Sequence, residues 1–497
     1  MEEPQYLQEG AFEFPPVDRA DFVITMTTMA LLYAVVQFLG IVTSIFALLS
    51  TRTSQGTIAW VVTLIAFPWL GVPAYLIFGR TRFNGYVTAR AADEKDFRQK
   101  LGLIDKDFGP FLVDSTHRKH DLAAYETLAK LPFSEANQAT LLINGEDTFY
   151  DIFQGIEKAQ NYVLIQFYII RDDDLGQQML RSLIAAKQRG LEVYLLYDDI
   201  GCYQLDDDYL NQLNYAGISV SAFHTTRSVQ NRFQLNFRNH RKIVVTDGQH
   251  AWLGGHNIGD EYLGRSRQSL DWRDTHLRLD GPAALGVQLS FVEDWHWATD
   301  QALNLRWQPT PSLVANQRVL ILPSGPSDPF ETASLMMQQS MHIAKERIWI
   351  ASPYFVPDEG VQQALRLAAL RGVDVTILIP EKPDNLLIYL SLYAFASGIL
   401  KSGVKILRYE KGFLHQKVFL VDDYLAAVGT ANMDNRSFRL NFEITALVDD
   451  KSFAKNIETM LSDDFSHSSA ITIDDIDSKP LWFKILSRAA YLSAPVQ

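Results

Sequence analysis

The chain has 497 residues, of which 47% are hydrophobic, and its 58 acidic and 45 basic side chains leave a net charge of −13. At about 150 residues per domain, this length predicts roughly three domains' worth of chain and a substantial core. The negative charge argues against a general nucleic-acid binder, because counterion release needs a basic surface. The single cysteine, Cys202, excludes an intramolecular disulfide and a zinc site built from several thiolates.

An acidic tail over residues 1–21 precedes two uncharged segments, 22–49 and 57–79. At about 1.5 Å per residue, each segment is long enough to cross a hydrocarbon core of about 30 Å as a helix. The tail lacks the basic region of a signal peptide, so cleavage is not expected. The two segments therefore predict a transmembrane hairpin over residues 22–80.

The charges that flank the hairpin predict its orientation. The loop between the segments carries only Arg52, whereas five cations follow the second segment: Arg80, Arg82, Arg90, Lys95 and Arg98. The positive-inside rule then places both termini and the bulk of the chain in the cytoplasm, as a multi-pass protein of the cytoplasmic membrane. The second segment also contains three residues that predict a kink or a re-entrant part: Pro68, Gly71 and Pro73.

Beyond a charged linker over residues 81–138, apolar strand patterns alternate with amphipathic helix patterns. The order strand, helix ended by glycine, strand occurs twice, over residues 163–197 and 347–380. This predicts two similar α/β domains, 139–312 and 313–478, each with helices on both faces of a largely parallel or mixed sheet. An amphipathic segment, 479–497, ends the chain.

One triplet occurs twice, and its members are offset by 175 residues between the copies. Both copies run into apolar, strand-like stretches, and residues two apart in a strand share one face. We therefore expect each His–Lys pair to point the same way. The copies are His240, Lys242 and Asp247, then His415, Lys417 and Asp422.

Similar segments follow both copies, GGHN at 254–257 and GTAN at 429–432. The duplicated motif resembles the signature of the phospholipase D superfamily, and GTANMDNRSFRLNFE at 429–443 is the pattern that usually follows it there. Within that superfamily, three segments resemble the bacterial cardiolipin synthases. They are AWVVTLIAFPWLGVPAYLIFG at 59–79, DWRDTHLRLDGP at 271–282 and SPYFVPDEG at 352–360.

The resemblance covers nearly all of the chain from Phe22 onward. It implies two packed phospholipase D-like half-domains of α-β-α type behind the membrane hairpin, in a bacterial inner membrane. It also implies phosphatidyl transfer between two phosphatidylglycerol molecules, which gives cardiolipin and glycerol through a phosphatidyl-histidine intermediate.

The residue types suit this chemistry. An imidazole can attack phosphorus and then leave, and a second imidazole can protonate the departing alkoxide and deprotonate the incoming alcohol. Two ammonium groups can neutralise the phosphoryl oxygens, so we expect neither a metal nor another cofactor. Amide groups of Asn257 and Asn432 are candidates for further contacts with the phosphate. By analogy with family members, His240 is favoured as the nucleophile.

Each imidazole needs a group that fixes its tautomer. Asp247 and Asp422 belong to the repeated motif, but their position near the far end of the strand favours a structural role for both. Better candidates for orienting the histidines are Glu443 and Asp274, because the family usually has an acid at this place. Asp274 is shorter than the usual glutamate. Four further histidines show no repeat and are expected to be structural, namely His224, His250, His276 and His296, whereas His256 could line the site.

Two further segments bear on the substrate. A basic, aromatic-containing segment surrounds the first motif and suits an anionic lipid headgroup or a solvated loop: Arg227, Arg232, Phe233, Phe237, Arg238, Arg241 and Lys242, with Arg436 and Arg439 after the second motif. The stretch 481–492 either lies in the membrane interface or packs on the catalytic domain.

Three alternatives remain open at this stage. A phospholipase D-type hydrolase would release phosphatidic acid, and the motif permits it equally. A nuclease of the same superfamily is disfavoured by the apolar segments and the charge of −13. A non-catalytic membrane scaffold is disfavoured by the intact His and Lys in both copies. The sequence leaves the oligomeric state and the second lipid substrate open.

Overall fold

The computed structural model describes residues 19–50, 53–79, 86, 108–113, 120–224, 236–265 and 271–496. The chain divides into an N-terminal unit, Met1–Thr81, and a catalytic unit, Arg82–Gln497. Several residues used above lie outside the described ranges: the cations that orient the hairpin, most of the acidic tail, most of the linker, and Arg227, Arg232 and Phe233.

The N-terminal unit contains one long apolar helix, α1 (Arg19–Ser50). Among the described residues, only its Met26–Ser50 part is long and apolar enough to cross a membrane. The second predicted span is not one continuous helix, because it breaks at Phe67 into α2 (Ser54–Ala66) and α3 (Pro68–Ala74). Proline has no N–H and clashes with the preceding turn, which explains the break at this position. With 13 residues, α2 is about 20 Å long, shorter than a hydrocarbon core.

Small and polar residues hold this unit together. A Cβ on Gly40 would lie 2.3 Å from the carbonyl oxygen of Leu64, so only glycine permits this close approach of α1 to α2. Gln37 donates from Nε2 to the carbonyl oxygen of Ile65 at 2.9 Å. The Gln37 hydrogen bond satisfies a side-chain amide on an otherwise apolar pair of helices.

The catalytic unit repeats one order of elements in its two halves. The first half contains α4 (Ala123–Ala129), β1 (Ser134–Ile143), α5 (Asn144–Lys158), β2 (Tyr162–Phe167), α6 (Asp174–Gln188), β3 (Glu192–Asp198), α7 (Asp207–Tyr215), β4 (Ser219–Phe223), β5 (Arg238–Asn239), β6 (Ile243–Thr246), β7 (His250–Gly254), β8 (Trp272–Arg273), β9 (Thr275–Asp280) and α8 (Ala284–Thr299).

The second half contains β10 (Gln317–Ser324), α9 (Thr332–Ile343), β11 (Arg347–Ala351), β12 (Phe355–Val356), α10 (Glu359–Leu370), β13 (Asp374–Pro380), α11 (Leu386–Leu400), β14 (Lys405–Tyr409), β15 (Phe413–Leu414), β16 (Val418–Val421), β17 (Leu425–Gly429), β18 (Met433–Asp434), α12 (Asn435–Arg439), β19 (Asn441–Asp449) and α13 (Lys451–Ser466). Three short elements end the unit: β20 (Ser468–Ala470), α14 (Ile473–Asp477) and α15 (Leu481–Tyr491).

The repeated helices α6 and α10 begin and end in the same way. Asp173 accepts a hydrogen bond from the backbone N–H of Gly176 at the start of α6, and Asp358 caps α10 through Val361. Two residues beyond each helix, Gly190 and Gly372 have φ values of 91° and 93°, which favour glycine. The glycine ends predicted from the sequence are thus confirmed.

One 16-stranded sheet runs through both halves, in the order β20-β14-β13-β11-β16-β17-β19-β10-β1-β9-β7-β6-β2-β3-β4, with β5 joined to β19. The halves meet where β1 and β10 pair antiparallel. Within each half, β2 pairs parallel with β3, and β11 pairs parallel with β13. The interior strands, such as β6 and β16, are buried throughout because helices cover both faces. The mixed α/β fold with two similar halves is as predicted.

Two short strand pairs cross between the halves. Strand β5 of the first half pairs parallel with β19 of the second, and β15 of the second pairs parallel with β8 of the first. Each crossing strand ends directly before one of the motif histidines. The crossings therefore bring the segments that carry the two motifs into a shared centre.

The C-terminal helix α15 packs on the catalytic unit, which is one of the two predicted alternatives. The rings of Phe483 and Tyr393 of α11 meet edge to face at 5.1 Å. Gln362 donates from Nε2 to the hydroxyl of Tyr491 at 3.0 Å. The opposite side of the helix exposes a set of apolar residues, namely Leu481, Trp482, Ile485 and Leu486.

Candidate active site

The two His–Lys pairs lie at the entry to strands β6 and β16, not inside them. His240 and Lys242 stand between β5 and β6, and His415 and Lys417 stand between β15 and β16. All four side chains are buried. The sequence placed these residues inside the strands, and that prediction is wrong by a few residues. The crossing strands hold these segments in extended form. For example, the backbone N–H of His240 continues the β5–β19 pairing and donates to the carbonyl oxygen of Phe442 at 2.9 Å.

Glu443 lies against the first histidine. Its Oε2 atom is 2.9 Å from Nδ1 of His240 and accepts from the Thr430 hydroxyl at 2.6 Å. Its Oε1 atom accepts from Nδ2 of Asn441 at 3.1 Å. With Nδ1 directed at the carboxylate, Nε2 of His240 is the atom left for substrate.

Asp274 lies against the second histidine, with Oδ2 2.7 Å from Nδ1 of His415. The backbone N–H of Thr275 donates to the other oxygen at 2.8 Å. Each carboxylate thus contacts the histidine of the opposite half. Register explains this arrangement, since the N–H of His415 donates at 2.8 Å to the carbonyl of Arg273, the residue before Asp274.

The two lysines are arranged asymmetrically. Lys242 donates from Nζ to the carbonyl oxygen of His240 at 2.7 Å. Lys417 donates to the carbonyl oxygen of His415 at 2.6 Å, and its Nζ also lies 2.9 Å from Nε2 of that histidine. The lone pair of His415 is therefore already engaged by an ammonium group, whereas the corresponding atom of His240 has no such contact from Lys242.

Burial shifts the pKa values of these groups in one direction. Burial, together with the charges of Lys242 and Lys417, lowers the pKa of His240 to about 4 despite the opposing effect of Glu443. Burial and Lys417 hold the pKa of His415 well below its usual range. Burial also lowers the pKa of Lys417 to about 8. In the substrate-free site both imidazoles are accordingly neutral at pH 7.

Asp247 and Asp422 lie just beyond the far ends of β6 and β16, five residues or about 16 Å of extended chain from the lysines. The carboxylate of Asp247 accepts hydrogen bonds from three consecutive backbone N–H groups, and Asp422 does the same in the second half. Their φ values are 55° and 52°, in the left-handed region. These contacts tie the β6 and β16 turns to the loops before β2 and β11, which supports the structural interpretation over a catalytic one.

The two asparagines differ in their surroundings. Asn257 accepts from the N–H of Ile169 at 3.1 Å and donates to the hydroxyl of Tyr262 at 3.1 Å. The side-chain oxygen of Asn432 is buried without a hydrogen-bond partner in the described part of the protein. Asn432 therefore keeps an acceptor that a ligand donor could engage, whereas Asn257 is largely committed to positioning Tyr262.

His256 and His276 form a buried pair behind Asp274. Their ring centroids are 5.5 Å apart, and burial lowers the pKa of each to about 3. They are neutral core residues, as the sequence indicated for His276. His256 is fully buried and packs against Phe149, with ring centroids 6.3 Å apart.

Sequence reasoning missed Tyr168 and Trp272, the aromatic residues that flank the histidines. The ring of Tyr168 meets that of His240 at 5.0 Å, and the ring of Trp272 meets that of His415 at 5.0 Å. Trp272 stands two residues before Asp274, a spacing that could have identified it. Tyr168 lies at the end of β2, far from the motif in sequence.

The comparisons with known proteins agree with this geometry. The family model described as cardiolipin synthase, phospholipase D-like domain, matches residues 152–271 and 337–465, and a phospholipase D-nuclease N-terminal model matches residues 35–80. Cardiolipin synthase A of Pseudomonas putida strain F1 is 45% identical over 94% of this chain and 98% of its own length. The chain belongs to the cardiolipin synthase family.

Other members of the cardiolipin synthase family are similarly close. Cardiolipin synthase A of Pseudomonas aeruginosa strain LESB58 is 42% identical over 96% of this chain and 98% of its own length. Among solved structures, the phosphatidylserine synthase of Haemophilus influenzae Rd KW20 matches with a TM-score of 0.57. It is 16% identical and covers 76% of this chain and all of its own, which shows a shared fold.

Proposed function

We propose that this chain makes cardiolipin by transferring a phosphatidyl group from one phosphatidylglycerol to another, with release of glycerol. The observation that carries this proposal is the paired site itself. Two buried imidazoles each direct Nδ1 to a carboxylate from the opposite half, with two lysines beside them. Such a site provides one nucleophile, one proton carrier and two cations for a phosphodiester.

In the first step, Nε2 of His240 attacks phosphorus and forms a P–N bond while the P–O bond to glycerol breaks. The departing oxygen takes a proton from His415. Binding of the anionic phosphodiester raises the pKa of His415, because an opposite charge favours the imidazolium. His415 takes up that proton from solvent as the substrate binds, and the Lys417 ammonium, 2.9 Å from Nε2 of His415, stays charged beside the phosphate.

In the second step, His415 removes the proton from a hydroxyl of the second phosphatidylglycerol. The new P–O bond forms, the P–N bond breaks and His240 leaves as a neutral imidazole. Glu443 and Asp274 stabilise the positive charge that appears on each ring during the cycle. Lys242 and Lys417 neutralise the phosphoryl oxygens, and Nδ2 of Asn432 donates a further hydrogen bond to them.

The engaged lone pair of His415 supports the assignment of His240 as nucleophile. A nitrogen that already accepts from an ammonium group must lose that bond before it can attack. Nε2 of His240 has no such bond to a lysine in the described structure. The two copies of the motif are therefore unequal in environment although they are equal in sequence.

The apolar parts of each unit support a lipid partner and a membrane location. We propose a multi-pass protein of the bacterial inner membrane, with the catalytic unit on the cytoplasmic side. Helix α1 supports the anchoring, and the exposed residues Leu481, Trp482 and Ile485 of α15 supply an apolar face suited to a lipid surface.

The purified full chain should convert labelled phosphatidylglycerol to cardiolipin and glycerol in equal amounts. Replacement of His240 or His415 by alanine should lower the rate at least a thousand-fold, since each group acts in both steps. His250→Ala is the matched control, because His250 lies on the half-exposed outer end of β7. Release of phosphatidic acid in place of cardiolipin would identify a hydrolase and contradict the proposal.

A further inference from the structure

Two arginines beside the catalytic centre are held to one short stretch of backbone. Arg436 of α12 donates from its terminal nitrogens to the side-chain oxygen of Asn236 at 3.1 Å and to its carbonyl oxygen at 2.9 Å. Arg238 lies two residues farther along and donates to the carbonyl oxygen of Phe237. The two guanidinium groups therefore converge on one place in the fold.

Neither guanidinium has a carboxylate partner among the described residues. Over the described ranges, no Asp or Glu oxygen lies within 4.0 Å of Arg238 or Arg436, although Arg238 is only 9% exposed. Other buried arginines of this unit are ion-paired, Arg241 with Asp294 at 2.8 Å and Arg273 with Asp464 at 2.7 Å. The contrast indicates that this arginine pair is completed by something other than a protein carboxylate.

The electrostatics of the arginine pair also favour a bound anion. Burial and the neighbouring charge of Arg238 lower the pKa of Arg436 from its usual value. The carboxylates that act on Arg436 are those of Asp434 and Asp198. Both accept hydrogen bonds from backbone N–H groups, and burial raises the pKa of each to about 6. Two partly desolvated like charges favour an anion between them.

The pair lies beside the reacting centre. Arg238 precedes His240 by two residues, and the charges of both arginines act on the phenol of Tyr168. The ring of Tyr168 in turn contacts the ring of His240, and Nζ of Lys242 lies 5.3 Å from its centroid. An anion held by the arginines would therefore sit next to a phosphate held by the lysines.

We propose that Arg238 and Arg436 bind the phosphodiester of the acceptor lipid, while the lysines hold the phosphodiester that reacts. This inference rests on the proposed function. Cardiolipin contains two phosphodiesters joined by one glycerol, so the second phosphate must lie close to the reacting phosphorus during transfer. The planar forks of two arginines suit bidentate contacts with such a group. Holding it would place the acceptor hydroxyl for attack on phosphatidyl-His240.

The test compares two acceptors in the same enzyme. Exchange of labelled free glycerol into phosphatidylglycerol uses the same covalent step but an acceptor without phosphate. Arg436→Gln and Arg238→Gln should each lower cardiolipin formation at least ten-fold more than they lower glycerol exchange. In mixed micelles of stated phosphatidylglycerol fraction, they should also raise the KM for phosphatidylglycerol more in cardiolipin formation than in glycerol exchange. Arg436→Lys keeps the charge but loses the planar guanidinium. Its ratio of cardiolipin formation to glycerol exchange should lie between those of the wild type and Arg436→Gln.

Arg318→Gln is the control, because Arg318 of β10 pairs with Glu135 at 2.9 Å and lies opposite Asp449, at the far end of β19 from Glu443. It should keep the wild-type ratio of the two activities. Equal loss of both activities in the two glutamine variants, or loss of neither, would overturn the inference. If the wild-type chain showed neither glycerol exchange nor cardiolipin formation, the proposed function itself would fail, so the two failures are distinguishable.

Discussion

At the residue scale, identical motif residues acquire different properties from their neighbours. His240 and His415 each contact a carboxylate through Nδ1, yet only His415 has a lysine ammonium on Nε2. This difference is the basis of our proposal that the first histidine attacks and the second carries a proton. This difference depends on a lysine rotamer, so the sequence could suggest a nucleophile only by analogy.

A substrate with an acidic leaving group separates these two roles. A phosphatidyl ester of p-nitrophenol loses its alcohol without needing a proton, because the phenolate is stable at neutral pH. His415→Ala should therefore release the first p-nitrophenol at a rate within about ten-fold of the unaltered enzyme. His240→Ala should release none. A burst of p-nitrophenol from His240→Ala, with none from His415→Ala, would reverse the assignment.

The lowered pKa values predict the pH dependence of kcat/KM. Below the pKa of His240, about 4, protonation removes the attacking lone pair, so activity should rise as pH increases through this value. Above the pKa of Lys417, about 8, loss of the ammonium charge should lower activity. Arginine stays charged at high pH, so Lys417→Arg should shift the alkaline fall of kcat/KM to higher pH. An unchanged alkaline limb in that variant would show that Lys417 does not cause it.

At the element scale, the crossing strands determine the site. The sequence indicated the repeat, the helix ends and the acids Glu443 and Asp274, because each has a local pattern. It did not indicate that β5 and β15 cross to the opposite half, since two-residue strands leave no periodicity. The exchange of carboxylates between halves follows from those crossings, so the pairing was beyond sequence reasoning.

The turn after β16 provides a stability prediction. Asp422→Ala removes the acceptor for three backbone N–H groups and places alanine at a φ of 52°. Unfolding free energy should fall by about 2–4 kcal/mol, seen as a lower Tm of the full chain in detergent. Asp423→Ala, which removes only an exposed ion pair with Lys451, should change it by less than about 0.5 kcal/mol. A large loss of kcat without loss of stability in Asp422→Ala would favour a catalytic role.

At the scale of the whole molecule, hydrophobicity divides between an anchor and a buried sheet. The proposed orientation can be tested with single cysteines, because the native Cys202 is buried and its pKa is raised by burial to about 12. Ser54→Cys stands at the first residue of α2, next to the loop that follows α1, and Tyr215→Cys stands at an exposed position of the catalytic unit.

In intact spheroplasts, a membrane-impermeant maleimide should label Ser54→Cys and leave Tyr215→Cys unlabelled. Both variants should react once the membrane is permeabilised. The unsubstituted chain measures the contribution of Cys202. Labelling of Tyr215→Cys before permeabilisation would place the catalytic unit on the outer side and contradict the orientation.

The most direct test of the account is capture of the covalent intermediate. The purified full chain is mixed with labelled phosphatidylglycerol and denatured with detergent at mildly alkaline pH within milliseconds to seconds, because the P–N bond is labile in acid. It is then digested and examined by mass spectrometry. We predict a phosphatidyl group on the peptide that contains His240, and its absence in His240→Ala. A phosphatidyl group on the His415 peptide, or turnover to cardiolipin without any covalent intermediate, would contradict the account.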